Sequence, residues 1–71
     1  MAGRNELQDA LQLVVEAEAD LALQRKIVRE LERDGYPSLG ARTMQRLLEQ
    51  HLEKRREILA RLVPAEPRGT R

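Results

Sequence analysis

Apolar residues return every three or four positions along most of this chain, and the pattern breaks once, near its middle. Leu7, Val14, Leu21 and Val28 recur every seven residues, and Ala10, Ala17, Gln24 and Leu31 fill the positions three further on. Spacing that alternates between three and four holds one stripe on one side of a helix, and a stripe kept over four heptads is an a/d seam. No Gly or Pro interrupts the run up to Arg33. Asn5, with Gln8 three residues on, reads as a capping box that starts the helix at about residue 6. At ~1.5 Å per residue a helix over 6–33 is roughly 42 Å long. Its apolar surface is wider than the seam, because Leu11 and Val15 extend one flank and Leu13 and Ile27 the other. A hairpin of two helices needs one seam. A wider stripe is what a helix carries when it touches two neighbours, as in a four-helix bundle.

The break is Leu31-Glu32-Arg33-Asp34-Gly35-Tyr36-Pro37-Ser38. Gly35 after a helical run is the natural left-handed C′ residue, since it has no Cβ to clash at positive φ. Leu31 then falls at C3 and Tyr36 at C″, two apolar positions that a Schellman closure brings together. On that reading Tyr36, the sole aromatic residue, is a hydrophobic plug at the loop. Pro37 cannot donate to a continuing helix, and Ser38 is placed to cap the next one with its side chain. So short a loop joins antiparallel neighbours.

The second pattern runs over about 39–63, with apolar positions at Met44, Leu47, Leu48, Leu52, Ile58, Leu59 and Leu62. At 100° per residue His51 and Arg55 fall in the middle of this stripe. Pro64 and Pro67 end regular structure, so residues 64–71 read as a flexible tail on a single hairpin of residues 1–63. The expected seam, shared between hairpin core and oligomer contact, is therefore Leu7, Val14, Leu21, Gln24, Val28, Leu31, Met44, Leu48, His51, Leu52, Arg55, Ile58, Leu59 and Leu62.

Charge agrees with the fold-back. Residues 1–20 carry Glu6, Asp9, Glu16, Glu18 and Asp20 against Arg4, and residues 39–63 carry Arg42, Arg46, Lys54, Arg55, Arg56 and Arg61 against Glu49, Glu53 and Glu57. Each cluster also stands at the helix end that its sign favours. If paired residues have numbers summing to about 73–75, Arg55 lies near Glu18 and His51 near Gln24 or Leu21. A polar layer of that kind sets register and oligomer state at some cost in stability.

Composition narrows the chemistry. A 71-residue chain makes one domain at most. It has no Cys, which leaves no disulfide, thiolate metal site or thiol nucleophile. Charged residues are 35% and aromatic residues 1%, a balance that points to long helices or coiled coil. The start of the chain does not read as a signal peptide, and no apolar run approaches the ~18 residues of a membrane span. The expectation is a bacterial, cytoplasmic protein. A net charge of +1 implies no polyanionic partner by itself.

His51 is the only histidine. A Glu-x-x-His di-iron signature needs an acid where Leu48 stands, and His-Glu-x-x-His is absent. Ser38 and Thr43 have no nearby base for nucleophilic work. No Gly-rich phosphate loop is present, Gly35 and Gly40 being turn and capping glycines. The chain is thus expected to be no enzyme and to need no cofactor or metal. Arg25, Arg29, Arg33, Arg42 and Arg46 converge at the loop end once the chain folds at Gly35. Their bland reading is a solvated mixed-charge face; the sharper one is contact with RNA or another polyanion.

The run from Gln24 to Gly35, with Ala41, Leu47-Leu48 and the later Arg56, Leu59 and Leu62, resembles a group of small uncharacterised bacterial helical-hairpin proteins. Their shared pattern is Gln-Arg-x-Ile-Val-x-x-Leu-Glu-x-x-Gly, and the resemblance covers residues 16–62. This chain departs from it at Tyr36-Pro37-Ser38, where the group is more polar. The resemblance implies a fold and a bacterial origin and no activity. In size and hairpin topology the chain is also similar to the Rop type of RNA-binding regulator, without a shared motif.

These readings converge on an all-α antiparallel helical hairpin, coiled-coil-like, dimerising into a four-helix bundle. Small scaffolds without disulfide or metal commonly oligomerise, because ordering costs ~1.5 kcal/mol per residue and one seam buries little. The expected function is a structural or interaction module acting through helix packing and self-association. The alternatives are a Rop-like RNA-binding regulator and an adaptor hairpin that docks on a larger protein.

Overall fold

The structure is a computed structural model that describes the backbone of residues 2–63 and the side chains from Asn5 to Val63. Among these residues are two helices, α1 (Ala2–Arg33) and α2 (Leu39–Leu62), and no strand. The expected tail over 64–71 lies outside the described residues. The helices pack against each other as a hairpin. α1 starts before Asn5, so the capping box does not form. Asn5 lies inside the helix, and a residue there cannot take the extended backbone an N-cap needs.

The loop closes as a Schellman motif. Gly35 has φ +79°. The Tyr36 N–H donates to the Leu31 carbonyl at 2.9 Å, and the Gly35 N–H to the Glu32 carbonyl at 3.2 Å. These are the two bonds that satisfy the last carbonyls of α1. The side chains do not follow the backbone. Tyr36 is 63% exposed and plugs nothing. The start of α2 offers it no apolar cover, since Leu39 is itself exposed and Gly40 has no side chain. Ser38 makes no side-chain cap: its Oγ lies 3.4 Å from the Glu32 carboxylate, and its carbonyl accepts the Arg42 N–H at 2.8 Å.

A Cβ built on Gly35 would meet nothing within 4 Å, so Gly35→Ala is a test of backbone strain alone. Urea or thermal unfolding of that variant should show a loss of about 1 kcal/mol, a fall in Tm of roughly 4–8 °C. An unchanged Tm would show that the left-handed closure does not limit stability.

The core is a single seam. Ala10, Val14, Ala17, Leu21, Val28 and Leu52 are buried, with Leu48 and Leu59 packed against them. The α1 side follows the sequence pattern. The α2 side is rotated from it: Ala41, Gln45, Leu48, Leu52, Arg55, Leu59 and Leu62 form the buried or half-buried row, at regular spacings of four and three. Met44, His51 and Ile58, all expected on the seam and His51 in the middle of its stripe, are exposed and stand outside the contact between the helices. One polar contact pins this rotation. Gln24 donates from Nε2 to the Ala41 carbonyl at 2.9 Å, across the helix pair and next to the loop. That bond can form only if the Ala41 side of α2 faces α1.

The hairpin measures 55 × 29 × 14 Å, so it is one helix thick. Stable domains bury apolar faces between two layers. Here one layer stands alone, and what its two broad faces carry decides what it can do.

Candidate interaction surface

One broad face is ionic. Arg25 Nη2 lies 3.5 Å from Glu49, Arg56 Nη2 lies 3.0 Å from Glu18, and Arg42 pairs with Glu32. All three pairs cross between α1 and α2, and all hold the register expected from the sequence. Glu18 takes Arg56 rather than Arg55 as its partner. The reason is the rotation of α2, which puts Arg55 in the seam and Arg56 on this face. The groups are largely exposed, so each pair contributes ~0–1 kcal/mol and mainly fixes which residues lie side by side.

The loop-end arginines do not form a free basic patch. Arg25 and Arg42 are paired across the hairpin, and Arg33 lies 3.4 Å from Asp34. Among the described residues only Arg29 and Arg46 of the five have no carboxylate within ion-pair distance. The sequence has one aromatic residue, Tyr36 in the loop, and so no row of aromatic side chains on which to stack bases.

The opposite face is apolar. Leu13 and Ile58 line one shallow groove with Glu6, Asp9, Ala10, Arg55 and Leu62. That groove identifies the sides of α1 and α2 that share a face. Heptad spacing extends it toward the loop: Leu13, Asp20 and Ile27 form one row on α1, and Met44, His51 and Ile58 another on α2, with Leu47 beside it. Leu13, Ile27, Met44, Leu47 and Ile58 are 37–53% exposed. The ionic face has exposed Leu11 and Val15 as well, but no apolar row on α2 to match them.

Arg55 is the one cation in the seam. Its guanidinium turns back along its own helix, donating from Nε and Nη2 to His51 Nε2 at 3.2 and 3.0 Å. A guanidinium only donates, so Nε2 of His51 is the acceptor in this contact. The pair sits on the apolar face with both heads reaching solvent, so Arg55 contributes its aliphatic stem to the contact between helices and keeps its charge wet. Among the described residues no group of three or more His or carboxylate side chains is placed to hold a metal ion. No helix among them is long and apolar enough to cross a membrane.

Sequence reasoning placed Leu7, Val14, Leu21, Gln24, Val28 and Leu31 on the α1 seam and Leu48, Leu52, Arg55, Leu59 and Leu62 on that of α2. All of these are buried or half-buried. It missed Ala41 and Gln45, whose signal was the unbroken spacing 41-45-48-52-55-59-62. It also missed the joint face built from both helices, because that face appears only when the rotation of α2 is known. No family model, no curated protein and no solved structure matches this chain.

Proposed function

We propose that the chain is a non-enzymatic interaction module that works through helix packing and pairs with a second copy of itself into a four-helix bundle. The observation that carries this reading is the one-helix-thick layer with apolar rows from both helices on a single uncovered face. Exposed apolar residues scattered singly need no explanation, whereas apolar residues from both helices gathered on one face mark an interaction site. A second layer of the same kind completes the two-layer architecture that small helical domains adopt. Docking on a larger protein would use the same face. An RNA-binding role has less support, because Arg25, Arg33 and Arg42 are already matched by carboxylates and a polyanion would have to displace them.

Light scattering on gel-filtered protein at tens of micromolar tests the reading. The expected mass is about twice that of the chain. A monodisperse monomer that still melts cooperatively would reject self-pairing and leave the adaptor as the remaining use of the face.

A further inference from the structure

The two edges of the apolar face carry opposite charge, and this determines how a second copy can lie on it. On the α1 edge stand Asp9, Glu16 and Asp20, with no base among them. On the α2 edge stand Lys54 and Arg61, with Glu57 between them in sequence, which leaves that edge a net charge of +1. Asp20 and Lys54 are level with each other in the register that the Arg56–Glu18 and Arg25–Glu49 pairs establish. They nevertheless form no ion pair with each other within the hairpin. Asp20 also interrupts the row Leu13-Asp20-Ile27, and Lys54 interrupts Leu47-Lys54-Arg61. Both charges are exposed and solvated in the single hairpin; covered by another molecule, each would need an opposite charge beside it.

Two symmetric ways exist to cover this face with another copy. In one, the two-fold axis lies in the interface across the helices. The loops then point to opposite ends, and α1 lies on α1 of the second copy, antiparallel. If α1 is centred on α1 at about residue 18, Asp20 falls against the second copy's Glu16 and Asp20, acid on acid. In the other, the two-fold axis runs along the hairpin. The loops then share one end, and α1 lies on α2 of the second copy at unchanged height. Asp20 meets the second copy's Lys54, Asp9 and Glu16 fall within reach of its Arg61, and the apolar rows Leu13–Ile27 and Met44–Ile58 face each other. Neighbouring helices are antiparallel in both arrangements, so helix dipoles do not choose between them and the edge charges do.

We propose that the occupant of the apolar face is a second copy of this chain, docked with both loops at the same end so that Asp20 of each copy pairs with Lys54 of the other. This rests on the self-pairing reading above. Like-charge contact across an interface costs more than a matched pair gains, so the edges act chiefly by excluding the other arrangement.

The chain has no Cys, so Tyr36→Cys in the full chain gives a single site for a nitroxide label at the exposed loop. Dipolar spectroscopy then reads the distance between the two loops. Layers ~10 Å apart put loops at one end within about 30 Å, whereas opposite ends separate them by the hairpin length, beyond about 40 Å. A short distance supports the proposal. A long one overturns it while self-pairing survives, and the absence of any dipolar signal at concentrations well above tens of micromolar overturns both.

A charge exchange keeps the test independent of the label. Asp20→Lys and Lys54→Glu should each weaken self-pairing by about tenfold or more, and an equimolar mixture should form a heterodimer close to the affinity of the original chain. If Asp20→Lys alone strengthens pairing, acid faces acid and the loops lie at opposite ends. Circular dichroism of each variant shows whether the hairpin has remained helical.

Discussion

Truncating Leu21 to Ala should cost ~2–5 kcal/mol of folding stability, the largest loss expected from any single side chain here. Leu21 is the least exposed residue of the core at 4%, and it sits in the cluster with Val14, Ala17 and Leu52. The neighbours cannot close the gap. Ala17 is too small to follow, and α2 is held at its height by Gln24 and by the Arg25–Glu49 and Arg56–Glu18 pairs. The change therefore removes buried methyl groups and leaves a cavity as well. Leu23→Ala is the control, because Leu23 is 60% exposed and should change stability by no more than about 0.5 kcal/mol. Urea unfolding of both variants at one protein concentration makes the comparison. Equal losses would mean that the seam described here is not the core.

The parts of this architecture that could be read from the sequence are those set by local chemistry. Gly35 followed by Tyr36-Pro37 allows one kind of helix end, and both of its hydrogen bonds form. The α1 seam was legible because four heptads of it run without ambiguity. The α2 stripe was not, because it is too wide. Met44, His51 and Ile58 form one row at seven-residue spacing, and Gln45, Leu52 and Leu59 form another. Periodicity cannot say which row faces the partner helix when both contain polar residues. A long-range contact decides it, the Gln24 side chain on the Ala41 carbonyl. Tyr36 failed as a plug for a related reason: a Schellman closure determines backbone bonds, while burial depends on what the next helix brings to the loop. The charged edges show the same limit. The acidic and basic clusters could be counted in the sequence, but they divide between an ionic face and the edges of an apolar one only after α2 is rotated into place.

Placing a charge on each apolar row should abolish self-pairing. Ile27→Glu with Ile58→Glu puts a carboxylate on the face from each helix, and a second copy would have to bury both without partners. The desolvation of an unpaired charge costs several kcal/mol, so dissociation should strengthen by about a thousandfold or more. Both positions are 38–42% exposed in the hairpin, and Glu is a good helix former, so the substitutions do not threaten the helices themselves. Leu11→Glu with Val15→Glu is the matched control. Those residues are more exposed, at 51% each, and stand on the ionic side. The measurements are mass by light scattering and Tm over a hundredfold range of protein concentration. The unaltered chain and the Leu11/Val15 variant should both show a Tm that rises with concentration, because folding is linked to assembly. The Ile27/Ile58 variant should lose that dependence and melt lower, since one helical layer must then stand on the Leu21 seam alone. Loss of pairing in the Leu11/Val15 variant, with pairing kept in the other, would move the interface to the ionic face and overturn the assignment.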